Sequence, residues 1–302
     1  MSGSDQRIEQ AFESLGRKMH NPSQVRIGLF GRGIGASLTP VMHEQEGRRL
    51  GLDYRYDLID FDRLGLRDAD LAAMLAGAAA RGFSGLNVTY PFKQAIAPLL
   101  DALSPEAAAI GAVNTVVFRD GGSTGHNTDC WGFAESFRSH FGAIALDRII
   151  QIGAGGAGSA VAQALVDLGA GALDIVDAQA ERAQALAAHI VHRGGAVARA
   201  VPPDQVAEAL RGASGVVNAT PVGMAKHPGL PLDPALLGAG HFVVDIIYFP
   251  RETALIQAAR SQGCSVLPGG GMAVHQAARA FSLFTGLAPD SAAMGRTFAA
   301  HA

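Results

Sequence analysis

Two ionisable residues in the N-terminal half of the chain, Lys93 and Asp129, are candidates for proton transfer. Lys93 ends the stretch GLNVTYPFK, residues 85–93, and it is one of three lysines in a chain with 21 arginines. An ammonium group can release a proton and take it back, whereas a guanidinium stays charged. Asp129 lies 36 positions later and supplies a carboxylate that can orient such a lysine. The pair predicts general acid–base chemistry, and the alternative is a surface lysine that closes a helix turn.

This pair belongs to three clusters of polar residues in otherwise apolar or alanine-rich sequence. The clusters are SLTP at 37–40, NVTYPFK at 87–93, and GAVNT at 111–115 followed by GHNTD at 125–129. Each lies at the end of a predicted strand or in the loop after it, and open parallel sheets bind ligands at the carboxyl ends of their strands. Hydroxyl and amide groups can both donate and accept hydrogen bonds. The clusters therefore predict a pocket for a small polyhydroxylated molecule.

A glycine-rich turn in the C-terminal half predicts a nucleotide site. The stretch RIIQIGAGGAG, residues 148–158, places Gly153, Gly155 and Gly158 in G-x-G-x-x-G spacing, directly after a predicted strand and at the start of a helix. The first glycine permits a tight turn, the second lets a pyrophosphate approach the backbone, and the third lets the helix pack closely on the strand. The N–H groups at the start of the helix can then bind the phosphates. The alternative is an ordinary strand–turn–helix unit with an acidic cap on the next helix.

The acidic residue that ends the next strand favours NAD over NADP. Asp177 ends the run ALDIVD, 19 residues after Gly158. A carboxylate at this point can accept hydrogen bonds from the ribose hydroxyls and would repel a 2′-phosphate. Arg182, five residues further on, acts in the other direction, because a guanidinium there could reach a phosphate.

Short apolar runs alternate with alanine-rich stretches of helical spacing in both halves of the chain. In the first half, the predicted strands are 25–30, 54–59 and 85–88, with helices at 40–50 and 71–80 between them. In the second half, strands are predicted from residues 148, 172, 215 and 242, with helices at 157–168 and 181–192. This alternation predicts parallel sheets with crossover helices, and therefore two α/β units. Residues from 269 onward predict one or two amphipathic helices without a further strand.

Length and composition exclude several classes of protein. With 302 residues, of which 48% are hydrophobic and 17% charged, a compact α/β protein of two domains is expected. A net charge of −3 gives no electrostatic footprint for nucleic acid. Cys130 and Cys264 form no CxxC motif, and the first 24 residues lack the apolar run of a signal peptide. We therefore expect a cytoplasmic protein without membrane segments that binds a small molecule.

Seven motifs, in this order along the chain, resemble the shikimate dehydrogenase family. They are SLTP, NVTYPFK, GAVNT and NTD of the polar clusters, the GAGGAG turn, NATPVGM at 218–224, and GGGMAVHQAA at 269–278. The similarity runs from about residue 26 to about residue 290 and is greatest with the NAD-using quinate/shikimate branch. It implies a two-domain α/β fold. Residues 1–130 would form a substrate-binding catalytic domain with a mostly parallel sheet, completed by C-terminal helices at 270–302, and residues 131–269 a Rossmann-type NAD-binding domain.

The resemblance also implies a reaction and a set of site residues. The reaction would be hydride transfer between nicotinamide and the ring carbinol of shikimate and/or quinate, in aromatic amino acid biosynthesis, with Lys93 and Asp129 as the acid–base pair. The substrate, a small cyclic hydroxy acid, would be held by Ser37, Thr39, Asn87, Thr89, Asn114, Asn127, Tyr248 and Gln276. The dinucleotide would be held by Gly153, Ala154, Gly155, Gly156, Ala157, Gly158, Asp177, Arg182, Thr220, Pro221, Met224, Gly271 and Met272. No metal is expected, because His43, His126 and His275 lack the spacing of metal ligands.

Two departures from the family pattern bear on specificity. The first cluster usually reads Ser-x-Ser, and its second hydroxyl residue here is Thr39, whose extra methyl group narrows the pocket. NADP-dependent relatives usually carry Asn-Arg-Thr after the second nucleotide strand, where this chain has Asp177-Ala178-Gln179. The arginine that would hold a 2′-phosphate is therefore missing, so NAD is the expected cofactor and NADP the less favoured one.

Other interpretations stay open. One alternative is a substrate whose ring differs from shikimate or quinate in one or two substituents, such as aminoshikimate or another cyclic polyol acid. A dehydrogenase-like sensor that binds metabolite and nucleotide without turnover is a further alternative. A homodimer is also open, because no pattern in the chain encodes the oligomeric state.

Overall fold

The protein consists of two compact α/β units. The computed structural model describes residues 3–15, 24–194 and 196–302. Lys18, one of the three lysines of the chain, lies outside these described residues. The first unit comprises residues 1–128 and 277–301, and the second comprises residues 129–276 and 302. The predicted fold class, a two-domain α/β protein, is confirmed.

The first unit is built on a mixed sheet. Its strands are β1 (Val25–Gly31), β2 (Tyr54–Asp60), β3 (Gly85–Val88), β4 (Ala102–Leu103), β5 (Thr115–Arg119) and β6 (Gly122–His126). They lie in the order β2-β1-β3-β5-β6-β4. Strand β1 is parallel to β2 and β3, β5 is antiparallel to β3 and β6, and β4 is parallel to β6. The carboxyl ends of β1, β3 and β6 and the amino end of β5 therefore lie at one edge of the sheet.

Helices and aromatic side chains cover both faces of this sheet. The helices of the first unit are α1 (Gly3–Ser14), α2 (Thr39–Arg49), α3 (Leu71–Ala80), α4 (Pro105–Ile110) and α11 (Ser291–His301), with short 3₁₀ turns at Asp68–Asp70 and Ala97–Leu99. One buried cluster contains Phe61, Met74 and Leu86, and another contains Ile27 and Phe284. The burial of these apolar side chains is the main stabilising term for the sheet that carries the polar loops.

The second unit is built on a parallel sheet. Its strands are β7 (Ile149–Ile152), β8 (Ala172–Val176), β9 (Val197–Ala200), β10 (Gly215–Asn218), β11 (Phe242–Asp245) and β12 (Ser265–Pro268). They lie in the order β12-β11-β10-β7-β8-β9, and every recorded pairing is parallel. Its helices are α6 (Gly156–Asp167), α7 (Ala180–His192), α8 (Val206–Leu210) and α9 (Ala254–Ser261), with 3₁₀ turns at Pro203–Gln205 and Pro234–Leu236. The strand order reverses between β7 and β10, the position where open parallel sheets bind ligands.

Two further helices, α5 (Thr128–Phe141) and α10 (Gly270–Thr285), contribute residues to both units. The observed bounds of strand β3 and helix α3 are the same as the bounds predicted from the sequence. The strands that were not predicted are β4, β5, β6, β9 and β12. Strands β4, β9 and β12 are edge strands of partly exposed residues, and β6 reads GSTGH, so most of them lack the apolar run that identifies a buried strand.

Candidate active site

Ser37 lies in the loop that joins β1 to α2, and Thr39 is the first residue of α2. Their hydroxyl oxygens are 3.2 Å apart, and the N–H of Thr39, which begins α2, donates to Ser37 Oγ at 3.3 Å. Gly31 ends β1, and a Cβ there would lie 2.4 Å from Thr89 Cγ2. The absence of a side chain at Gly31 therefore lets the loop after β1 and the loop after β3 approach each other.

Lys93 lies in the loop after β3, and its backbone is held by two neighbouring segments. The Lys93 carbonyl accepts a hydrogen bond from the Val113 N–H at 2.7 Å. The Tyr90 carbonyl in the same loop accepts one from the Arg32 N–H at 3.1 Å. The base of the lysine side chain is therefore fixed against the loop before β5, and the residue itself is partly exposed.

Amide and hydroxyl side chains form a buried network at the same edge of the sheet. Asn87 Nδ2 donates to the Asn114 carbonyl at 3.2 Å and to Thr115 Oγ1 at 3.0 Å. The Thr128 N–H donates to Asn114 Oδ1 at 2.7 Å, and Asn114 Nδ2 donates to Thr128 Oγ1 at 2.9 Å. The Tyr56 hydroxyl donates to Asn87 Oδ1 at 2.8 Å. The motifs GAVNT and NTD contain Thr115 and Thr128 without revealing this role, and Tyr56 lies in an apolar strand that gives no such signal.

Asn127 and Asp129 follow β6. Asn127 is buried, and its Nδ2 donates to the Ala112 carbonyl at 2.9 Å. Asp129 is buried in the first turn of α5, where the positive end of the helix dipole stabilises a carboxylate. One edge of the first unit's sheet thus carries seven of the predicted residues: Ser37, Thr39, Asn87, Thr89, Lys93, Asn114 and Asn127.

The glycine-rich turn of the second unit has the geometry that its spacing predicts. Gly153 has a φ of +107°, and a Cβ there would lie 2.7 Å from the Ala219 carbonyl, so the turn requires glycine. A Cβ at Gly158 would lie 2.3 Å from the Gly153 carbonyl oxygen, so α6 packs directly on the turn. At Gly155, in contrast, the Cβ position has no described atom within 4 Å. This open space, next to the N–H groups that begin α6 at Gly156, fits the pyrophosphate of a dinucleotide.

Asp177 is joined to this turn by a hydrogen bond. Its Oδ2 accepts the Ala154 N–H at 2.8 Å, and its Oδ1 accepts the Gln179 N–H at 2.9 Å. The carboxylate therefore lies beside the glycine turn, directly after β8. Arg182 is exposed in the first turn of α7. Of the other predicted residues here, Ala157 lies in the first turn of α6.

Thr220, Pro221 and Met224 lie in the loop after β10. Thr220 Oγ1 donates to Asn218 Oδ1 at 2.7 Å and accepts the Val222 N–H at 3.1 Å. The Pro221 carbonyl accepts the Met224 N–H at 3.1 Å, and the Met224 side chain is exposed. The loop thus has a fixed backbone and an exposed apolar side chain, which suits contact with a flat ring.

A buried carboxylate that the sequence motifs do not reveal supports this loop. Asp245 ends β11 and accepts hydrogen bonds from Asn218 Nδ2 at 3.0 Å, the Ile247 N–H at 3.0 Å and Thr253 Oγ1 at 2.7 Å. Burial raises the pKa of Asp245, and these hydrogen bonds act in the opposite direction. Asp245 joins the loop after β10 to the segment 246–253, which contains the partly buried Tyr248. Its only signal in the sequence is one acidic residue in the apolar run FVVDII.

Gly271, Met272 and Gln276 lie near the start of α10. A Cβ at Gly271 would lie 2.3 Å from Ser136 Oγ, and a Cβ at Gly132 would lie 2.7 Å from the Gln276 nitrogen. The first part of α10 therefore packs closely against α5, and Met272 is buried. The second unit thus contains all the predicted nucleotide residues, together with Tyr248, Gln276 and Asp129 of the predicted chemical site.

Two kinds of feature are not found in the described part of the chain. Across residues 3–15, 24–194 and 196–302, no group of three or more His, Cys, Asp or Glu side chains is arranged to hold a metal ion. Within the same residues, no helix combines the length and hydropathy that a bilayer span requires.

Protein-family models match two regions of the chain. The model described as the shikimate dehydrogenase substrate binding domain matches residues 29–116, and the model described as the shikimate 5'-dehydrogenase C-terminal domain matches residues 269–296. A shikimate dehydrogenase (NADP(+)) of Streptomyces avermitilis is 52% identical over 269 residues, which cover 89% of this chain and 92% of the relative. The chain belongs to the shikimate dehydrogenase family.

Two similar members of the shikimate dehydrogenase family come from Corynebacterium glutamicum. A quinate/shikimate dehydrogenase (NAD(+)) of strain R is 46% identical over 278 residues, covering 91% of this chain and 98% of the relative. The solved structure of quinate dehydrogenase in complex with NAD matches with a TM-score of 0.85 and 46% identity, covering 92% of this chain and 99% of the other. The family predicted from the seven motifs is confirmed, and the chain is an oxidoreductase of that family. The names of these relatives differ in the nucleotide, NADP(+) for one and NAD(+) for the other.

Proposed function

We propose that the protein catalyses reversible hydride transfer between NAD and the ring carbinol of shikimate and/or quinate, with 3-dehydroshikimate or 3-dehydroquinate as the keto partner. The observation that carries the proposal is the collection of hydroxyl, amide and ammonium groups at one edge of the first unit's sheet. Groups of this kind suit a small acid with several ring hydroxyls, because each hydroxyl can both donate and accept a hydrogen bond.

In this proposal, Lys93 is the general acid–base and Asp129 its partner. Lys93 Nζ takes the proton of the substrate hydroxyl on oxidation and returns a proton to the carbonyl oxygen on reduction. The hydrogen bond from the Val113 N–H to the Lys93 carbonyl, 2.7 Å long, gives the side chain a fixed starting point. Asp129, buried at the start of α5, supplies the negative charge that orients the ammonium group. A positioned acid–base of this kind contributes typically about 10²- to 10⁴-fold to the rate.

The substrate is proposed to bind to the polar side chains of the first cluster and their neighbours. Ser37, Thr39, Thr89, Asn114 and Gln276 would bind the ring hydroxyls and the carboxylate, and Asn87, Asn127 and Tyr248 would line the pocket. We assign residues 1–130, completed by 270–302, to the substrate domain and residues 131–269 to the nucleotide domain. The position of Thr39 beside Ser37, with hydroxyl oxygens 3.2 Å apart, supports their joint action on one substrate group.

NAD is proposed as the cofactor, and when bound it supplies the hydride acceptor or donor. The residues that would hold it are Gly153 to Gly158, Asp177, Arg182, Thr220, Pro221, Met224, Gly271 and Met272. Asp177 supports the preference, because its carboxylate lies beside the glycine turn, 2.8 Å from the Ala154 N–H, and would repel a 2′-phosphate. Because one relative that is 52% identical is named as NADP-dependent, the preference for NAD over NADP is tested directly with both nucleotides.

Steady-state kinetics of the purified protein test the proposal. Shikimate, quinate and 3-aminoshikimate are each assayed with NAD and with NADP. We expect kcat/KM for shikimate or quinate to be at least about tenfold higher with NAD, a difference of about 1.4 kcal/mol. A higher kcat/KM with NADP would refute the cofactor assignment. If 3-aminoshikimate is turned over faster than shikimate and quinate, it replaces them as the proposed substrate. Absence of turnover with every pair would indicate a sensor instead of an enzyme.

A further inference from the structure

Thr115 occupies the centre of the buried network at the edge of the first unit's sheet. It begins β5, and its Cα is registered opposite Asn87 on β3 and opposite His126 on β6. Its side chain is completely buried. We propose that Thr115 is a positioning residue which, together with Tyr56, fixes the side-chain amide of Asn114 so that Asn114 offers the substrate an N–H and no acceptor. The inference deepens the proposed function and rests on it, because it concerns the same substrate.

The orientation of the Asn87 amide follows from its neighbours. One neighbour is the backbone carbonyl of Asn114, which can only accept a hydrogen bond, so the atom 3.2 Å from it must be Asn87 Nδ2. The second hydrogen of Nδ2 goes to Thr115 Oγ1 at 3.0 Å. Asn87 Oδ1 therefore faces the Tyr56 hydroxyl, which donates to it at 2.8 Å. Both donors of Asn87 are used within the protein.

The Thr115 hydroxyl passes this orientation on to Asn114. Because Thr115 Oγ1 accepts a hydrogen from Asn87, its own hydrogen is directed to Asn114 Oδ1, 3.0 Å away. The Thr128 N–H can only donate, and it lies 2.7 Å from the same oxygen. These two donors, with the Thr128 hydroxyl 3.2 Å away as a third, face Asn114 Oδ1 and exclude the flipped amide, because a flip would place an NH₂ group against the Thr115 hydroxyl and the Thr128 N–H.

The fixed amide has a consequence for recognition. The acceptor capacity of Asn114 Oδ1 is used by the Thr115 hydroxyl at 3.0 Å and the Thr128 N–H at 2.7 Å, and the Thr128 hydroxyl lies 3.2 Å from the same oxygen. Asn114 Nδ2 gives one hydrogen to Thr128 Oγ1 at 2.9 Å, which leaves one N–H for a ligand. The substrate atom that meets Asn114 must therefore be an acceptor, such as a hydroxyl or carboxylate oxygen. An ammonium group, which has three donors and no acceptor, does not suit this position.

Replacement of Thr115 by valine tests the role, because valine has a similar shape and no hydroxyl. In Thr115→Val, Asn87 loses an acceptor and Asn114 Oδ1 loses a donor. We expect the KM for shikimate to rise about tenfold, the effect of one lost hydrogen bond in a recognition network, with kcat within about threefold. Thr115→Ser restores the hydroxyl and should keep KM within about twofold of the unaltered protein. Tyr56→Phe should raise KM in the same direction by a smaller factor, and it provides the test if Thr115→Val fails to fold.

Ser123→Ala is a matched control for a purely structural role. Ser123 is a buried hydroxyl on β6 of the same sheet, but its Oγ donates to Asp101 at 2.7 Å, outside the network. We expect it to lower the melting temperature and leave KM unchanged. If Thr115→Val and Tyr56→Phe lower the melting temperature and keep the original KM, the proposed positioning role is wrong.

The side-chain amide NMR signals of Asn87 and Asn114, compared between the unaltered protein and Thr115→Val, give a readout without substrate. Shifts in both signals are expected, and unchanged signals would overturn the inference. If the unaltered protein turns over no substrate, the proposed function fails, and these signals still decide the orientation of the amide.

Discussion

The proposed ligand-binding edges of the two units are built in different ways. In the second unit, the proposed nucleotide site is formed by backbone: Gly158 allows α6 to pack against the turn after β7, Gly153 allows this turn to lie against Ala219, and the Cβ position of Gly155 has no described atom within 4 Å. In the first unit, the site is formed by side chains, and the amides of Asn87 and Asn114 are oriented by their neighbours. A backbone site is specified by a few adjacent residues, whereas a side-chain site depends on residues far apart in the sequence.

Each unit contains a buried titratable group whose pKa is shifted by burial. His43 of the first unit is fully buried among the rings of Tyr54, Tyr56, Phe281 and Phe284, with centroids between 5.1 and 6.1 Å away. Its Nδ1 lies 2.8 Å from the Tyr54 hydroxyl oxygen, and burial lowers the pKa of His43 to about 3. Burial in the second unit instead raises the pKa of Asp245. The pKa values of these two groups are therefore shifted in opposite directions.

The largest expected effect is a loss of kcat on replacement of Lys93, which tests the proposed chemistry of the first unit apart from the proposed nucleotide binding of the second. Lys93→Ala should lower kcat about 10²- to 10⁴-fold, because no other group replaces the positioned proton donor and acceptor. Substrate binding, measured by calorimetry, should persist. Lys93→Arg is the matched control: it keeps the positive charge but cannot exchange a proton, so it should be similarly slow. A kcat for Lys93→Ala within threefold of the original would remove the lysine from the mechanism.

The glycine turn provides a direct comparison of two neighbouring positions. Gly158→Ala places a Cβ 2.3 Å from the Gly153 carbonyl oxygen, and we expect it to lower the free energy of unfolding by about 1–3 kcal/mol. Gly155→Ala places its Cβ in open space, and the backbone at Gly155 has a negative φ that alanine readily adopts. The free energy of unfolding should therefore change by less than about 0.5 kcal/mol. Gly155→Ala should nevertheless raise the KM for NAD, because the methyl group would occupy the space that we propose for the pyrophosphate. Equal stability of the two variants in urea titrations would contradict this account of the turn.

The buried histidine should make the first unit sensitive to acid. Its folded pKa of about 3 lies below the ordinary value of 6.5, so its contribution to stability is fully present above pH 6.5 and is lost as the pH falls. At pH 5 the loss should reach about 2 kcal/mol, because each pH unit below 6.5 costs about 1.4 kcal/mol. His43→Asn should flatten this part of the curve of unfolding free energy against pH.

Asp245→Asn is the contrasting variant for the second unit. The raised pKa of Asp245 means that its contribution is present below the ordinary value of 3.8 and is lost as the pH rises through the raised value. The asparagine variant should therefore gain stability relative to the original protein as the pH rises above 3.8. Parallel curves for the original protein and both variants would mean that neither group titrates as its burial implies.

The smallest expected effect concerns the charge beside the glycine turn. Asp177→Asn removes the negative charge and keeps one oxygen that can accept the Ala154 N–H, while the hydrogen bond from the Gln179 N–H is lost, so it should lower the preference for NAD over NADP about tenfold. Asp177→Ala removes the hydrogen bond as well and should also raise the KM for NAD. The ratio of kcat/KM values for the two nucleotides measures both effects. An unchanged ratio in Asp177→Asn would show that charge does not set the preference.

The amino-acid sequence by itself determined the two α/β units, the glycine turn and the family. Alternating apolar runs and helical spacing are local patterns, and the bounds of β3 and α3 agree with them. The requirement for glycine at Gly158 is equally local, because its Cβ position faces the Gly153 carbonyl five residues earlier. At Gly153 only the positive φ is local, whereas the Cβ position lies against Ala219, in the loop after β10.

Only the tertiary structure decided which polar groups act together. The antiparallel register of β3 and β5 places Thr115 opposite Asn87, and the pairing of β1 with β2 and β3 brings the Tyr56 hydroxyl to the same amide. The sequence around Asp245 is likewise an apolar run, and only the tertiary structure places the donors Asn218 and Thr253 at its carboxylate. A hydrogen bond depends on distance and direction between groups that are remote in sequence, and such geometry exists only after the strands have paired.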